Sequence, residues 1–354
     1  MKVIFLTKYT RKGASSRLRS YQYFPWLMAN GFEVEVSPLF GDQYLENLYK
    51  GRKSITQILK AYISRFFKVL SLPKDSLVVI EYELFPYLPA WFETMLSKKG
   101  VKYIVDYDDA IFHNYDLSSN ILVKKFLSDK INKVMQGSSF TVVGNAYLER
   151  KAKDAGATHV IRIPTVVDLQ RYDVKSDFFT GMNQKLIVGW IGTFSTFKYL
   201  KTVIPFLEDL AKVYPIVLHV VGAKEELDTT LEIKFIPWTE SSEAASIRAF
   251  DVGIMPLEDT PWERGKCGYK LIQYMASGIP VIASGVGANT EIVSHSVNGF
   301  IANSDQEWKN AFLYFLSKRH RLTEMGMEGR KMVVEKYCLQ KTAAQWLETL
   351  KFKF

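Results

Sequence analysis

Cysteine is scarce: Cys267 and Cys338 are the only two in 354 residues, and they form no CxxC pair. That excludes a disulfide framework and a cysteine-built zinc site, and it points to a reducing, cytosolic compartment. No run of about 20 apolar residues occurs, so no segment is expected to span a bilayer. The opening stretch MKVIFLTKYT is apolar only briefly and turns polar at Thr7. It reads as a first buried strand and not as a signal peptide. No GxGxxG follows that strand, which argues against a dinucleotide-dependent dehydrogenase. Acids are missing from residues 50–74, where seven Lys and Arg stand. No recognition motif accompanies those cations, so nucleic acid is not an expected partner.

What is present suffices for two cores. The chain is 47% hydrophobic and 14% aromatic, and its length fits two domains. Its net charge of +9 favours anionic partners such as phosphate-bearing small molecules or a lipid surface. Within residues 50–74, Ile55, Ile58/Leu59, Tyr62/Ile63, Phe66/Phe67 and Leu70 recur at helical spacing, with Lys53, Lys60 and Lys68 off the stripe. This is a basic amphipathic helix. It fits an anionic membrane surface, and it equally fits a stripe packed on the domain core.

Strand and helix signals alternate along the chain. In the first half, strands are expected at 3–6, 32–36, 77–80, 101–105, 140–143 and 160–163. Helical spacing runs over 18–28, 55–70, 91–96, 121–135 and from Gly144-Asn145 to about 153. Residues 164–177 carry Pro and mixed charge without a period, as a linker would. The second half repeats the plan, with strands at 186–191, 216–221, 233–236, 252–255 and 281–283 and a helix over 199–213. Two successive βαβ domains follow, with loops gathered at the carboxyl edges of the sheets.

Residues 265–280, GKCGYKLIQYMASGIP, organise the second half. A glycine loop entering a helix presents backbone N–H groups at the positive end of the helix dipole, a generic anion site. Lys266 and Lys270 stand in the same stretch and suit a diphosphate. Gly13 allows close approach of the first loop to a ligand, with Arg17 and Arg19 beside it to meet an acceptor phosphate. Trp238, after a strand end, suits either base stacking or core packing. Asp106 and Asp108 close another strand.

These residues resemble the GT-B glycosyltransferases, and among them glycosyltransferase family 4, the retaining nucleotide-sugar enzymes. Gly268, Met275-Ala276, Gly278, Pro280, Val281 and Ile282 fall on the family's pattern, and GVGANTEIV with Asn298-Gly299-Phe300 continues it. Asp106-Tyr107-Asp108-Asp109-Ala110 is similar to the Asp-rich strand end of a polysaccharide-assembling subset, and Ile163-Pro164 with Asp168 to the family's linker. Gly265 and Gln273 stand where the family has two glutamates, Glu263 lies two residues upstream of the first, and Thr193 replaces an arginine.

The resemblance implies an α/β GT-B fold, two Rossmann-like βαβ domains facing across a cleft. The acceptor-side domain is expected at 1–165, a linker at 166–177, the nucleotide-sugar domain at 178–335, and a helix at 336–354 packing back toward the first domain. It implies a retaining transfer from a nucleotide-diphosphate sugar to a glycan or lipid-linked acceptor in surface polysaccharide synthesis. The alternatives are a sugar-nucleotide epimerase and a non-catalytic GT-B scaffold. Expected catalytic residues are Asp106, Asp108, Lys198 and Lys270. Expected donor-binding residues are Gly13, Gly192, Thr193, Trp238, Lys266, Gly268, Tyr269, Gln273 and Glu291. Asp106-x-Asp108 also matches the DxD metal motif of the other glycosyltransferase fold. With lysines at the diphosphate, a metal-free site without further cofactor is expected. The expected location is cytoplasmic, peripheral at the inner membrane face.

Overall fold

The computed structural model describes residues 1–52, 54–178 and 184–352. Lys53 of the basic stretch, residues 179–183 of the expected second domain and residues 353–354 of the expected terminal helix lie outside the described residues. The chain divides into two compact units. One comprises Met1–Thr165, Gly265–Cys267 and Thr342–Phe354, the other Val166–Arg264 and Gly268–Lys341.

In the first unit, six strands form one sheet: β1 (Lys2–Leu6), β2 (Glu33–Val36), β3 (Leu77–Glu81), β4 (Lys102–Tyr107), β5 (Phe140–Val143) and β6 (Val160–Arg162). Their order is β2-β1-β3-β4-β5-β6, and every neighbouring pair is parallel. The LVVIE run of β3 is buried throughout, as near-continuous apolar strands of parallel sheets are. Its register with β4 sets Glu81 opposite Asp106 at the carboxyl edge.

In the second unit the strands are β7 (Leu186–Ile191), β8 (Ile216–Val221), β9 (Ile233–Ile236), β10 (Val252–Met255), β11 (Val281–Ala283) and β12 (Gly299–Ile301). The order is β12-β11-β10-β7-β8-β9, again all parallel. Gly189 and Gly253 pair across β7 and β10. A Cβ at either would fall inside an aromatic ring, that of Phe250 or of Tyr274, at 1.9 and 2.3 Å. The missing side chains therefore let both rings lie flat on the sheet.

Three expected helices are broken. The run over 18–28 becomes Ala14–Arg19, a 3-10 turn Tyr21–Tyr23, and Phe24–Ala29. That over 199–213 becomes Phe194–Lys201 and Ile204–Ala211. Pro25 and Pro205 each sit in the first turn of the later helix, where a missing N–H is harmless, and neither could continue the earlier one. The third, over 121–135, is Ile121–Leu127 followed by Lys130–Gln136.

The helix Ile55–Leu70 is capped by Ser54, which accepts from the Gln57 N–H. One flank is core: Arg65 and Val69 are buried, and Arg65 Nη2 donates to the carbonyls of Thr7 and Ser37 at 2.8 Å each. The other flank exposes Ile55 (81%), Leu59, Ile63, Phe66, Phe67 and Leu70. Those positions recur every three or four residues and share one face. The helix thus packs one flank on the core and leaves most of the apolar stripe exposed. The last helix, Leu339–Lys351, belongs to the first unit from Thr342 onward. There Trp346 packs 6.5 Å from Phe5 and 5.9 Å from Tyr23, ring centre to ring centre.

Candidate functional site

Ligands of open α/β sheets settle at the carboxyl ends of the strands, where the strand order reverses. In the first unit the reversal lies between β1 and β3, since the chain runs from β1 to β2 on one side and places β3 on the other. The loops after β1, β3 and β4 bring Ser15, Ser16, Glu81, Tyr82, Asp106 and Asp108 together. Ser15 Oγ lies 2.6 Å from both oxygens of Asp108 and 2.6 Å from the Tyr82 hydroxyl. The Tyr82 hydroxyl also donates to Asp108. Tyr82 has a φ of 64°, a left-handed conformation that a bulky residue adopts only at a cost of order 1–3 kcal/mol. Strain of this kind clusters at functional sites. Asp108 is half-buried and keeps an accessible face.

Asp106 is placed differently. It is 2% exposed, and both its oxygens are engaged by Arg19, from Nε at 2.9 Å and Nη2 at 2.5 Å. Arg19, 1% exposed, also donates from Nη1 to the Ile163 carbonyl at 2.7 Å. Arg19 therefore cannot reach an acceptor phosphate, and Asp106 positions Arg19 instead of meeting a substrate. Burial accounts for both placements: a bidentate carboxylate balances the charge of the buried guanidinium and takes two of its donors.

Glu81 is buried beside this cluster. One carboxylate oxygen accepts from the Lys8 N–H at 2.8 Å and from Ser16 Oγ at 2.7 Å. The other has no hydrogen-bond partner among the described residues. Burial pushes its pKa from 4.5 up to about 7, against the Ser16 and Lys8 hydrogen bonds. The folded protein thus holds this proton more tightly than the unfolded chain does. Its contribution to stability is complete below pH 4.5 and is lost as pH rises toward 7. Glu81→Gln should remove the loss, so wild type and variant diverge by about 3 kcal/mol between acid and neutral pH. Denaturant melts across that range check this, and a gap that does not change with pH rejects it.

Gly265–Cys267 also belong to the first unit. Asn145 Nδ2 donates to the carbonyls of Gly265 (2.7 Å) and Lys266 (3.1 Å), and the Cys267 thiol donates to the Asp108 carbonyl at 3.1 Å. A Cβ on Gly265 would lie 2.3 Å from that of Ala110, which explains why no larger residue stands there. Lys266 is electrostatically coupled to Asp109, whose pKa burial raises to about 6 while Lys266 opposes the rise. Gly13 precedes the helix Ala14–Arg19, and a Cβ there would meet Tyr9 at 2.5 Å.

In the second unit the strand order reverses between β7 and β10. Gly192 and Thr193 follow β7 and start the helix Phe194–Lys201, which carries Lys198. A Cβ on Gly192 would sit 2.4 Å from the Trp190 ring. Gly268, with φ +65°, caps the helix Tyr269–Ala276 after β10. A side chain there would be strained and would meet Ile292 at 2.4 Å. Lys270 Nζ lies 4.4 Å from the ring centre of Trp190, which is buried in β7, so this ammonium stands over the reversal point. Lys198 Nζ lies 4.6 Å over the Tyr199 ring. Glu291 is exposed on the short helix Asn289–Ile292 after β11.

Residues 185–318 match the family model described as Glycosyl transferases group 1. The chain is a glycosyltransferase. No curated protein matches it in sequence. Solved structures similar in fold include sucrose-phosphate synthase from Thermosynechococcus elongatus, with a TM-score of 0.73 at 16% identity, covering 99% of this chain and 98% of that one. HepE of Anabaena, in complex with UDP and glucose, gives 0.66 at 15% identity with both chains covered in full (100%). A glycosyltransferase from Rickettsia africae gives 0.71 at 14% identity over 99% and 97%. The fold is GT-B.

Two residues of this glycosyltransferase that stand at or near the family's glutamates face inward. Glu263 is buried, and its oxygens accept from the hydroxyls of Tyr199 and Thr260. Gln273 is 2% exposed, and its Nε2 donates to the Tyr172 hydroxyl at 3.0 Å. Tyr172 in turn donates to Glu243 Oε1 at 3.0 Å, and Trp238 Nε1 donates to Glu243 Oε2 at 2.8 Å. Gln273 therefore acts through Tyr172 and Glu243 on the indole of Trp238, which is 36% exposed. Ser15, Glu81, Tyr82, Tyr172 and Glu243 were missed as site residues. Only Glu81 and Tyr82 carried a signal, as polar residues closing an apolar strand.

Proposed function

We propose that this glycosyltransferase moves a sugar from a nucleotide-diphosphate sugar to a hydroxyl of a glycan or lipid-linked acceptor, with retention of configuration, in surface polysaccharide synthesis. The observation that carries the reading is Lys270 at the start of the helix Tyr269–Ala276, its Nζ 4.4 Å over the Trp190 ring of β7, with the helix that carries Lys198 starting from the end of that same strand. Breaking the sugar–phosphate bond sends its electron pair to the leaving diphosphate and leaves positive charge on the sugar. Fixed cations and a helix N-terminus stabilise the charge that develops on the leaving group. Trp238, oriented by Glu243, offers a face to the base. The HepE complexes with UDP and with UDP-glucose make a uridine-diphosphate sugar the first donor to try.

Asp108, held by Ser15 and Tyr82, accepts a hydrogen bond from a sugar or acceptor hydroxyl. The donor site works without a metal in this reading. Arg19 engages both oxygens of Asp106, so of the Asp106-x-Asp108 pair Asp108 is the carboxylate left to face a ligand, and the lysines of the second unit supply the positive charge at the diphosphate. The outward flank of the helix Ile55–Leu70, in a stretch without acids, supports an anionic membrane at the cytoplasmic face as the place of the acceptor.

A panel of nucleotide sugars, each with and without glycan acceptors, tests the whole reading. One donor should be consumed only with acceptor, should yield the donor's anomer, and should turn over equally in excess chelator. An inverted product rejects retention. Loss of turnover on chelation rejects the metal-free site. Donor turnover without acceptor supports an epimerase, and inertness to every pair supports a scaffold.

A further inference from the structure

The helix Ile121–Leu127 buries only Leu127 fully. Ile121 (79% exposed), Leu122 and Phe126 face outward, and Leu117 just before it does too. Lys124 and Lys125 stand exposed among them, and no acid occurs from residue 117 to 128. This helix repeats, in a second place, the composition of the outward flank of Ile55–Leu70. Neither surface is used by the site described above.

The two are joined by a chain of aromatic contacts inside the first unit. Phe66 packs edge-on against Phe92 at 5.8 Å, and Phe92 follows Trp91, which is 67% exposed. The Tyr62 hydroxyl donates to the Pro86 carbonyl at 2.5 Å. The next residue, Tyr87, is exposed, has a φ of 60°, and stacks edge-on with Tyr115 at 5.5 Å. The Tyr87 N–H donates to the Tyr115 hydroxyl at 3.1 Å, and Leu117 lies two residues further on. These contacts link the two helices within the unit, with exposed Trp91 and Tyr87 beside the links.

We propose that these two helices and the aromatic bridge form one bilayer-docking surface, on which Ile121–Leu127 engages an anionic membrane together with Ile55–Leu70. It rests on the membrane reading of residues 50–74 and extends it to a second helix. Three observations select a bilayer. Apolar side chains interspersed with lysine, without acids, suit acyl chains beneath anionic headgroups. Trp and Tyr between the helices are the side chains favoured at a membrane–water interface. A second copy of the same surface would bring its lysines against stretches that hold no acid to pair with them, because a two-fold contact pairs a patch with itself. Among the described residues no helix is long and apolar enough to cross a membrane, so the surface lies on the bilayer.

Co-sedimentation of the full chain with phosphatidylcholine vesicles, with and without phosphatidylglycerol, tests this. Leu122→Ser with Phe126→Ser should lower partitioning on both vesicles by about tenfold. Lys124→Gln with Lys125→Gln should lower it by about tenfold on the phosphatidylglycerol vesicles alone. All four side chains are exposed, so melting temperature and donor turnover in lipid-free buffer should not change. Full binding by both variants, with loss in Leu59→Ser/Phe67→Ser, overturns the second helix and leaves residues 50–74 as the membrane site. No binding by wild type overturns both. A wild-type dimer that ignores vesicles and dissociates in Leu122→Ser/Phe126→Ser overturns the bilayer in favour of self-association. The donor panel needs no lipid, so the transferase reading stands or falls separately.

Discussion

Lys270→Met lowers kcat for glycosyl transfer by about a hundredfold or more, with a smaller change in KM. The methionine keeps an unbranched apolar stem over the Trp190 ring, where Lys270 Nζ now lies 4.4 Å from the ring centre. What is lost is the positive charge at the reversal point between β7 and β10. That charge matters most when the diphosphate departs, because its negative charge is greater in the transition state than in the bound donor. Single preorganised donors at such positions are worth about 10²–10³ in kcat. Steady-state kinetics with a consumed donor gives the split between kcat and KM. A fall confined to KM would make Lys270 a ground-state binder only. No fall in either would move the diphosphate elsewhere, with Lys198 next to test.

Asp106→Asn destabilises the protein by about 3–5 kcal/mol, because it leaves the Arg19 guanidinium buried without a counter-charge. Arg19→Met combined with Asp106→Leu recovers most of that loss, since a buried ion pair exchanged for packed apolar groups is often neutral. Urea melts compare the three proteins. The double variant also decides the role of Asp106. If its carboxylate touched substrate, the refolded double variant would be inactive. With both oxygens on Arg19, the double variant should retain donor turnover once stability is restored. A single variant as stable as wild type would show that the pair contributes little to the fold.

The alternation of strands and helices was legible because parallel strands need apolar runs and the crossovers need helical periodicity. β12 escaped notice, as three residues carry too short a pattern. The helix breaks at Pro25 and Pro205 were hidden by apolar spacing that continues through them. In the candidate site, Gly268 and Lys270 could be read locally, because a glycine-to-helix junction and its lysine lie within a few residues, whereas Lys198 entered through the resemblance alone. Arg19, Asp106 and Gln273 could not. Their partners stand far away in sequence: Arg19 to Asp106 across 87 positions, Gln273 to Tyr172 across 101. Only the strand register says whether such a side chain faces a ligand or another buried charge. Gly265 shows the same limit, since the collision with Ala110 that keeps it small is invisible without the fold.

Tyr274, lying flat over Gly253, has one more consequence. Its hydroxyl accepts from the Ile191 N–H at 3.1 Å and donates to the Ile254 carbonyl at 3.4 Å. The last amide of β7 is therefore protected by a side chain of the helix Tyr269–Ala276 and not by a neighbouring strand. Any lifting of that helix exposes this amide to solvent exchange. The Ile191 proton is thus a built-in spectroscopic probe, reporting the looseness of the helix before any substrate has bound.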